Sequence, residues 1–169
     1  DHRALTCALT HQMISIHLAS VRWDAFYSTH RENLECVSQR STHVTIELTN
    51  DIINRNLHDI QIAQARLKDL QGVVPSRLAV RYLKLSSSFC DPSVVVLPGF
   101  IDAIFDMFDP LEVVLEAVYL RRRDRFAFTC RATSVTLPMN LFGGEKVYLK
   151  PYEALLGRMP ELRRLSCAA

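Results

Sequence analysis

The 169 residues carry 20 Lys and Arg against 18 Asp and Glu, for a net charge of +2, and 49% of them are apolar. So small a net charge supplies no global field for nucleic acid or anionic lipid, although a local patch is compatible with it. The length suffices for a buried core without covalent staples, and no apolar run approaches a membrane span.

In chain order, the first signal covers 5–37. Leu9, Met13, Ile16, Ser20, Trp23, Tyr27, His30, Leu34 and Val37 alternate steps of four and three, which is one face of a helix. The β-branched cluster inside it also permits a strand over 14–23, and the continuous seam favours helix. Polar residues at 38–42 mark a break. Val44, Ile46 and Leu48 alternate, so 43–49 reads either as a strand or as the first turns of the next helix.

The stretch 50–72 has a start, a period and a stop. Asn50 or Asp51 supplies a cap, apolar residues recur at Ile53, Leu57, Ile60, Leu67 and Leu70, and Gly72 with Pro75 ends it. Such a helix is either buried against its own domain or used for oligomerisation, with Asn56 setting register. Two long helices joined by a short polar link predict a helical hairpin or a protruding pair.

Beyond Gly72 the texture changes. Leu78, Val80 and Tyr82 alternate with charged residues in a half-buried strand over 77–86, and 93–97 reads as a short buried strand. Ile101, Ile104, Phe105 and Phe108 return to helical spacing. Asp109, Pro110 and Glu112 then look like the cap, first position and box of a helix over 111–122. Residues 125–137 alternate as a strand, with Phe126, Phe128, Cys130 and Ala132 on one face. Gly143 and Gly144 predict a hairpin into a strand over 146–149, and Pro151 opens a last helix over 152–158. No repeat of fixed period stands out.

The fold class expected is therefore α+β: two long N-terminal helices, then a small, mostly antiparallel sheet packed with two or three helices. The helical part spans 1–72 and the α/β part 73–169, within one continuous domain.

The chemistry is sparse. Cysteines at 7, 36, 90, 130 and 167 are odd in number and form no C-x-x-C, which fits a reducing, intracellular compartment rather than a disulfide framework or a zinc site. No signal-peptide pattern stands at the start, and a beginning at Asp1 leaves a preceding targeting segment open. No phosphate loop, nucleophile elbow or histidine pair calls for a cofactor or a metal. Asp102, Asp106 and Asp109 are spaced for one helical face, where carboxylates could hold magnesium for a hydrolase or simply meet solvent. Arg121, Arg122, Arg123 and Arg125, interleaved with aromatics, suit phosphate or an acidic partner, or else a helix C-terminus.

The leading functional expectation is a non-catalytic structural or assembly protein, an oligomer or a subunit of a larger complex. Its contacts would run through Leu9, Ile16, Trp23, Ile53, Ile60 and Leu67. The alternative is a nucleic-acid or anionic-surface binding module on the arginine cluster.

Overall fold

The computed structural model describes residues 13–18, 22–35, 42–48, 57–74, 77–87, 98–138 and 149–168. Within them the chain runs β1 (Met13–His17), α1 (Trp23–Glu35), β2 (His43–Leu48), α2 (Leu57–Val73), β3 (Leu78–Ser87), α3 (Pro98–Met107), β4 (Phe108–Glu116), β5 (Ser134–Leu137), α4 (Lys150–Leu156) and β6 (Arg164–Cys167). The strands form one sheet in the order β1-β2-β3-β4-β5-β6, and every neighbouring pair is parallel.

That order follows from how parallel strands must be joined. Each needs a crossover, and right-handed crossovers that always step in one direction put every connection on the same face. The buried side chains agree. Trp23 and Leu34 of α1, Leu67 and Leu70 of α2, Ile104 and Phe105 of α3, and Tyr152 and Leu155 of α4 belong to one core with the buried row of each central strand. Adjacent helices are tied together: the Gln71 side-chain amide on α2 donates to the Ala103 carbonyl on α3 at 3.2 Å. Arg66 of α2 donates to the Leu18 carbonyl at 2.8 Å and lies over the Trp23 ring at 5.2 Å.

Register makes the core a ladder of rows. Ile14, Val44, Leu83, Val113, Val135 and Leu165 stand side by side, and Ile16, Ile46 and Leu85 form the next row. Ile14 and Val44, Leu83 and Val113, and Val135 and Leu165 are each 30 residues apart. The remaining steps, from Val44 to Leu83 and from Val113 to Val135, differ in length. A repeat is therefore present, with connections of unequal length.

The same apolar spacing recurs in four strands: Val80, Leu83 and Leu85; Pro110, Val113 and Leu115; Ala132, Val135 and Leu137; Leu162, Leu165 and Cys167. The three-residue step inside it marks a bulge. Arg81 N and Tyr82 N both donate to the Thr42 carbonyl, at 3.2 and 3.4 Å, and Arg163 N and Arg164 N both donate to the Thr133 carbonyl, at 2.9 and 3.0 Å. Two residues facing one re-phases the alternation, so both flanking apolar pairs reach the core.

The expected α+β fold with a helical hairpin and an antiparallel sheet is overturned by this architecture. The first 72 residues hold two strands, β1 and β2, as well as α1 and most of α2. Met13 and Ile16 fit a helical seam while Ile14 and Ile16 fit a strand alternation, and long-range pairing with β2 decides between them. Gly72 lies inside the last turn of α2 rather than after it. The helix expected over 111–122 is β4. Ladders to β3 and β5 outweigh the Asp109-Pro110 capping pattern, and Pro110 sits near the start of the strand, where a missing amide costs least. Only the end of the strand expected over 125–137 pairs, as β5. The strand over 93–97, the hairpin at Gly143 and most of the strand expected over 146–149 lie outside the described residues. No helix among the described residues is long and apolar enough to cross a membrane.

Candidate functional site

The second face of the sheet is built from the residues between the core rows. One row reads Met13, His43, Tyr82, Glu112, Ser134 and Arg164; the next reads Ser15, Thr45, Lys84, Val114, Thr136 and Ser166; a third begins His17, Glu47, Ser86 and Glu116. These side chains are half-buried or exposed, in contrast to the closed rows behind them. All-parallel sheets ordinarily have both faces covered and read as continuous apolar strands. Here every strand alternates, and among the described residues no helix packs on the polar side. Six strands at about 4.8 Å spacing make this face about 24 Å wide.

The face is cross-linked by its own side chains. His17 Nδ1 lies 2.6 Å from Glu47 Oε2, and Ser15 Oγ lies 3.4 Å from His17 Nε2. The carboxylate, imidazole and hydroxyl thus stand in the order of a hydrolytic triad. Catalysis needs donors aimed at an oxyanion as well, and the long Ser15 contact on an exposed, regular strand supplies a strand-to-strand tie instead. His43 meets the Tyr82 ring edge-on at 5.1 Å. Lys84 Nζ is 2.7 Å from Glu116 Oε2, and Ser86 Oγ donates to the same oxygen at 2.8 Å. The bond to Glu116 holds the Lys84 ammonium above its ordinary value. Glu116 is held below the usual carboxylate value by Lys84 first and Ser86 second. Burial is the main cause raising the Tyr82 phenol.

Two of the three acidic residues singled out by spacing, Asp102 and Asp109, serve an extended segment. Ala117, with φ of 51°, swings the chain out of β4 through the left-handed region. The chain then runs through Phe126, Phe128, Cys130 and Ala132, all buried, without pairing as a strand. Side chains take over where a ladder is missing. Asp102 Oδ1 accepts from Ala127 N at 2.9 Å and Phe128 N at 3.4 Å, and Asp109 Oδ1 accepts from Arg131 N at 2.9 Å. Arg77 donates to the Thr129 carbonyl and Arg158 to those of Phe128 and Ala127. Asp102 and Asp106 are on α3, Asp109 is on β4, and only Asp106 is exposed. The three therefore do not share one helical face, and no group of three metal-ligating side chains occurs among the described residues.

This arrangement predicts an asymmetry. Removing the Asp102 carboxylate leaves two amides without an acceptor, so Asp102→Ala should cost about 1–3 kcal/mol. Asp106→Ala should change stability by no more than about 0.5 kcal/mol, as surface substitutions do. Urea unfolding of both variants checks it; equal stabilities would remove the proposed role of Asp102.

Cys130 is buried, with its thiol pushed up to about 11 mainly by burial, and is chemically quiet. Tyr152 donates to the Val118 carbonyl at 2.9 Å, and burial raises its phenol well above the ordinary value.

Three of the six expected contact residues are described with their side chains. Ile16, Trp23 and Leu67 pack into the chain's own core. Ile60 lies in α2 with its side chain outside the described set, and Leu9 and Ile53 are outside the described residues altogether. Arg121, Arg122, Arg123 and Arg125 are all exposed, on a turn rather than a helix end. Asp124 closes that turn: its Oδ2 accepts from Arg121 N at 2.9 Å, and its own amide donates to the Arg121 carbonyl at 3.1 Å.

Sequence reasoning missed the open face. The signal for it was the recurring apolar triplet, whose three-residue step conceals it from a search for strict alternation. No protein family, curated protein or solved structure matches the chain.

Proposed function

We propose that this chain is a non-catalytic contact protein that holds another polypeptide against the open face of its sheet. The observation that carries this reading is a six-stranded parallel sheet with a polar, half-exposed face opposite its core. Such a face offers aligned rows of side chains at constant spacing, which suits an extended or helical partner lying across the strands. The apolar spacing of the strands is shared with leucine-rich repeats, in which one strand and one helix per repeat build an extended binding surface. That likeness is one of spacing and architecture alone. Tyr82, at the middle of the face beside His43, has the size and amphipathic character of a binding hot spot.

A second reading rests on the four exposed arginines at 121–125. A short turn presenting them together suits phosphate groups. One experiment separates the two. Partners cross-linked to the intact chain are quantified for three variants: Tyr82→Ala with Lys84→Glu, Arg122→Glu with Arg123→Glu, and Arg31→Glu on the exposed side of α1. The first variant should weaken partner binding at least about tenfold, and Arg31→Glu should leave it unchanged. Retention by the first variant would sink the sheet-face reading. Salt-sensitive nucleic-acid binding lost only in the second variant would establish the arginine reading in its place.

A further inference from the structure

The helix α1 is fastened differently from the other three. Arg66 and Gln71 on α2, Asp102 on α3 and Tyr152 on α4 each share a hydrogen bond with the backbone of another segment. Among the described residues no side-chain hydrogen bond or ion pair joins α1 to another element, and its Arg31–Glu35 pair lies within the helix. It packs on β1 and α2 through three buried side chains, Trp23, His30 and Leu34. The middle one of these is titratable. His30 is 3% exposed, and neither ring nitrogen has a hydrogen-bond partner among the described residues. The groups that face it offer no acceptor. From β1 comes His17, whose ring is 6.2 Å from that of Phe26 and whose Nδ1 is engaged by Glu47 of β2 at 2.6 Å. From α2 comes Arg66, itself a cation, lying over the Trp23 ring at 5.2 Å. On α1 the carboxylates of Asp24, Glu32 and Glu35 and the Arg31 guanidinium are exposed, and Tyr27 stands on the far side of Trp23, neutral at these pH values.

We propose that α1 is an acid-released element: protonation of His30 frees the helix from β1 and α2 while the central strands stay paired. An imidazolium in this cage of rings is a buried charge without a partner, which a protein interior expels or neutralises. Swinging the helix out hydrates the ring. The sign follows from the two positions. Burial first and His17 second hold the proton affinity of the docked ring below the ordinary 6.5, so the released helix binds the proton more tightly. Release is therefore favoured as the pH falls below 6.5, and the opening constant rises by up to about tenfold for each further unit. Little that is directional opposes the motion. The apolar contacts of Trp23 and Leu34 and the Arg66 stack must part, and no side-chain hydrogen bond to another described element breaks with them. Such an opening is local and differs from loss of the whole core. It also stands apart from the polar-face contact proposed above.

The chain carries its own reporter. Trp23 is its single tryptophan, and the ring lies 5.7 Å from that of His30. The full chain is followed from pH 7.5 to 5 by tryptophan emission and by hydrogen exchange read by mass spectrometry, corrected for the intrinsic effect of pH on exchange. As the pH falls, emission should move to longer wavelength and peptides covering 23–35 should lose protection, while those covering β3 and β4 keep theirs. His30→Phe should remove both changes. His30→Gln packs less well and cannot titrate, so it should be looser at every pH and equally indifferent to pH, which separates the charge from the packing. His43→Gln, on the polar face, should respond as the wild-type chain does. Three results would each overturn the proposal: an α1 that keeps its protection throughout, an α1 that opens only together with β3 and β4, or a His30→Gln chain that opens with falling pH as the wild type does.

Discussion

Phe105→Ala is expected to cost about 3–5 kcal/mol, the range for truncating a fully buried phenylalanine. Phe105 has no exposed surface, and its ring stacks on Phe128 with centroids 4.1 Å apart and planes 9° from parallel. The loss is larger than that of an average core residue for a local reason. Phe128 belongs to the extended segment that lacks a ladder of its own, so its attachment rests on this stack and on side-chain bonds from Asp102 and Arg158. Truncation opens a cavity and frees that segment together. For a chain of this size each kcal/mol lowers Tm by about 2–4 °C, so a fall of about 6–20 °C is expected by calorimetry. A double-mutant cycle with Phe128→Ala should return a coupling of about 0.5–1.5 kcal/mol for the ring pair. Additive losses would mean that the stack contributes nothing beyond area.

His30 carries the second large effect. It is 3% exposed, wedged against Trp23 and Phe26 with centroids 5.7 and 6.0 Å away. Neither ring nitrogen has a hydrogen-bond partner among the described residues. Burial first, and the nearby His17 second, lower its proton affinity below the ordinary 6.5. The unfolded chain therefore binds the proton more readily than the folded one. Stability is fully present above pH 6.5 and falls as the pH drops below it, by up to about 1.4 kcal/mol per pH unit from this one group. His30→Phe fits the aromatic surroundings and removes an unsatisfied polar ring, so it should stabilise at neutral pH by about 1–3 kcal/mol. It should also flatten the acid limb. Urea midpoints measured from pH 7.5 to 5 for both proteins decide the matter: parallel curves would show that His30 gains no proton on unfolding.

Much of the fold was visible locally and invisible globally. The helix at 57–73 and the strand at 78–87 were legible because each has a clean period. The helix at 98–107 was legible because Ile101, Ile104 and Phe105 all face inward. The error lay in β1 and β4. Ile16 also satisfies a helical seam together with Met13, and Asp109-Pro110 imitates a helix start. In both places the winning interaction is a ladder to a strand about 30 residues away, which no local window contains. Parallel topology was hidden for the same reason. Asp102 and Asp109 were found by spacing, but their work as amide acceptors depends on an extended segment that has no periodic name. The four arginines were legible as a cluster, but the exposed turn that presents them was not; it is pinned by Asp124, a residue the charge pattern alone passed over.

The one-way strand order has a further consequence for how the molecule comes apart. Among the described residues each strand pairs only with its neighbours in chain order, so no ladder ties β1 directly to β6. Cooperativity in such an array is passed along only through adjoining units, like zipper teeth. Amide protons should therefore exchange in a gradient, slowest under β3 and β4, where strands are flanked on both sides, and fastest at the two outer strands.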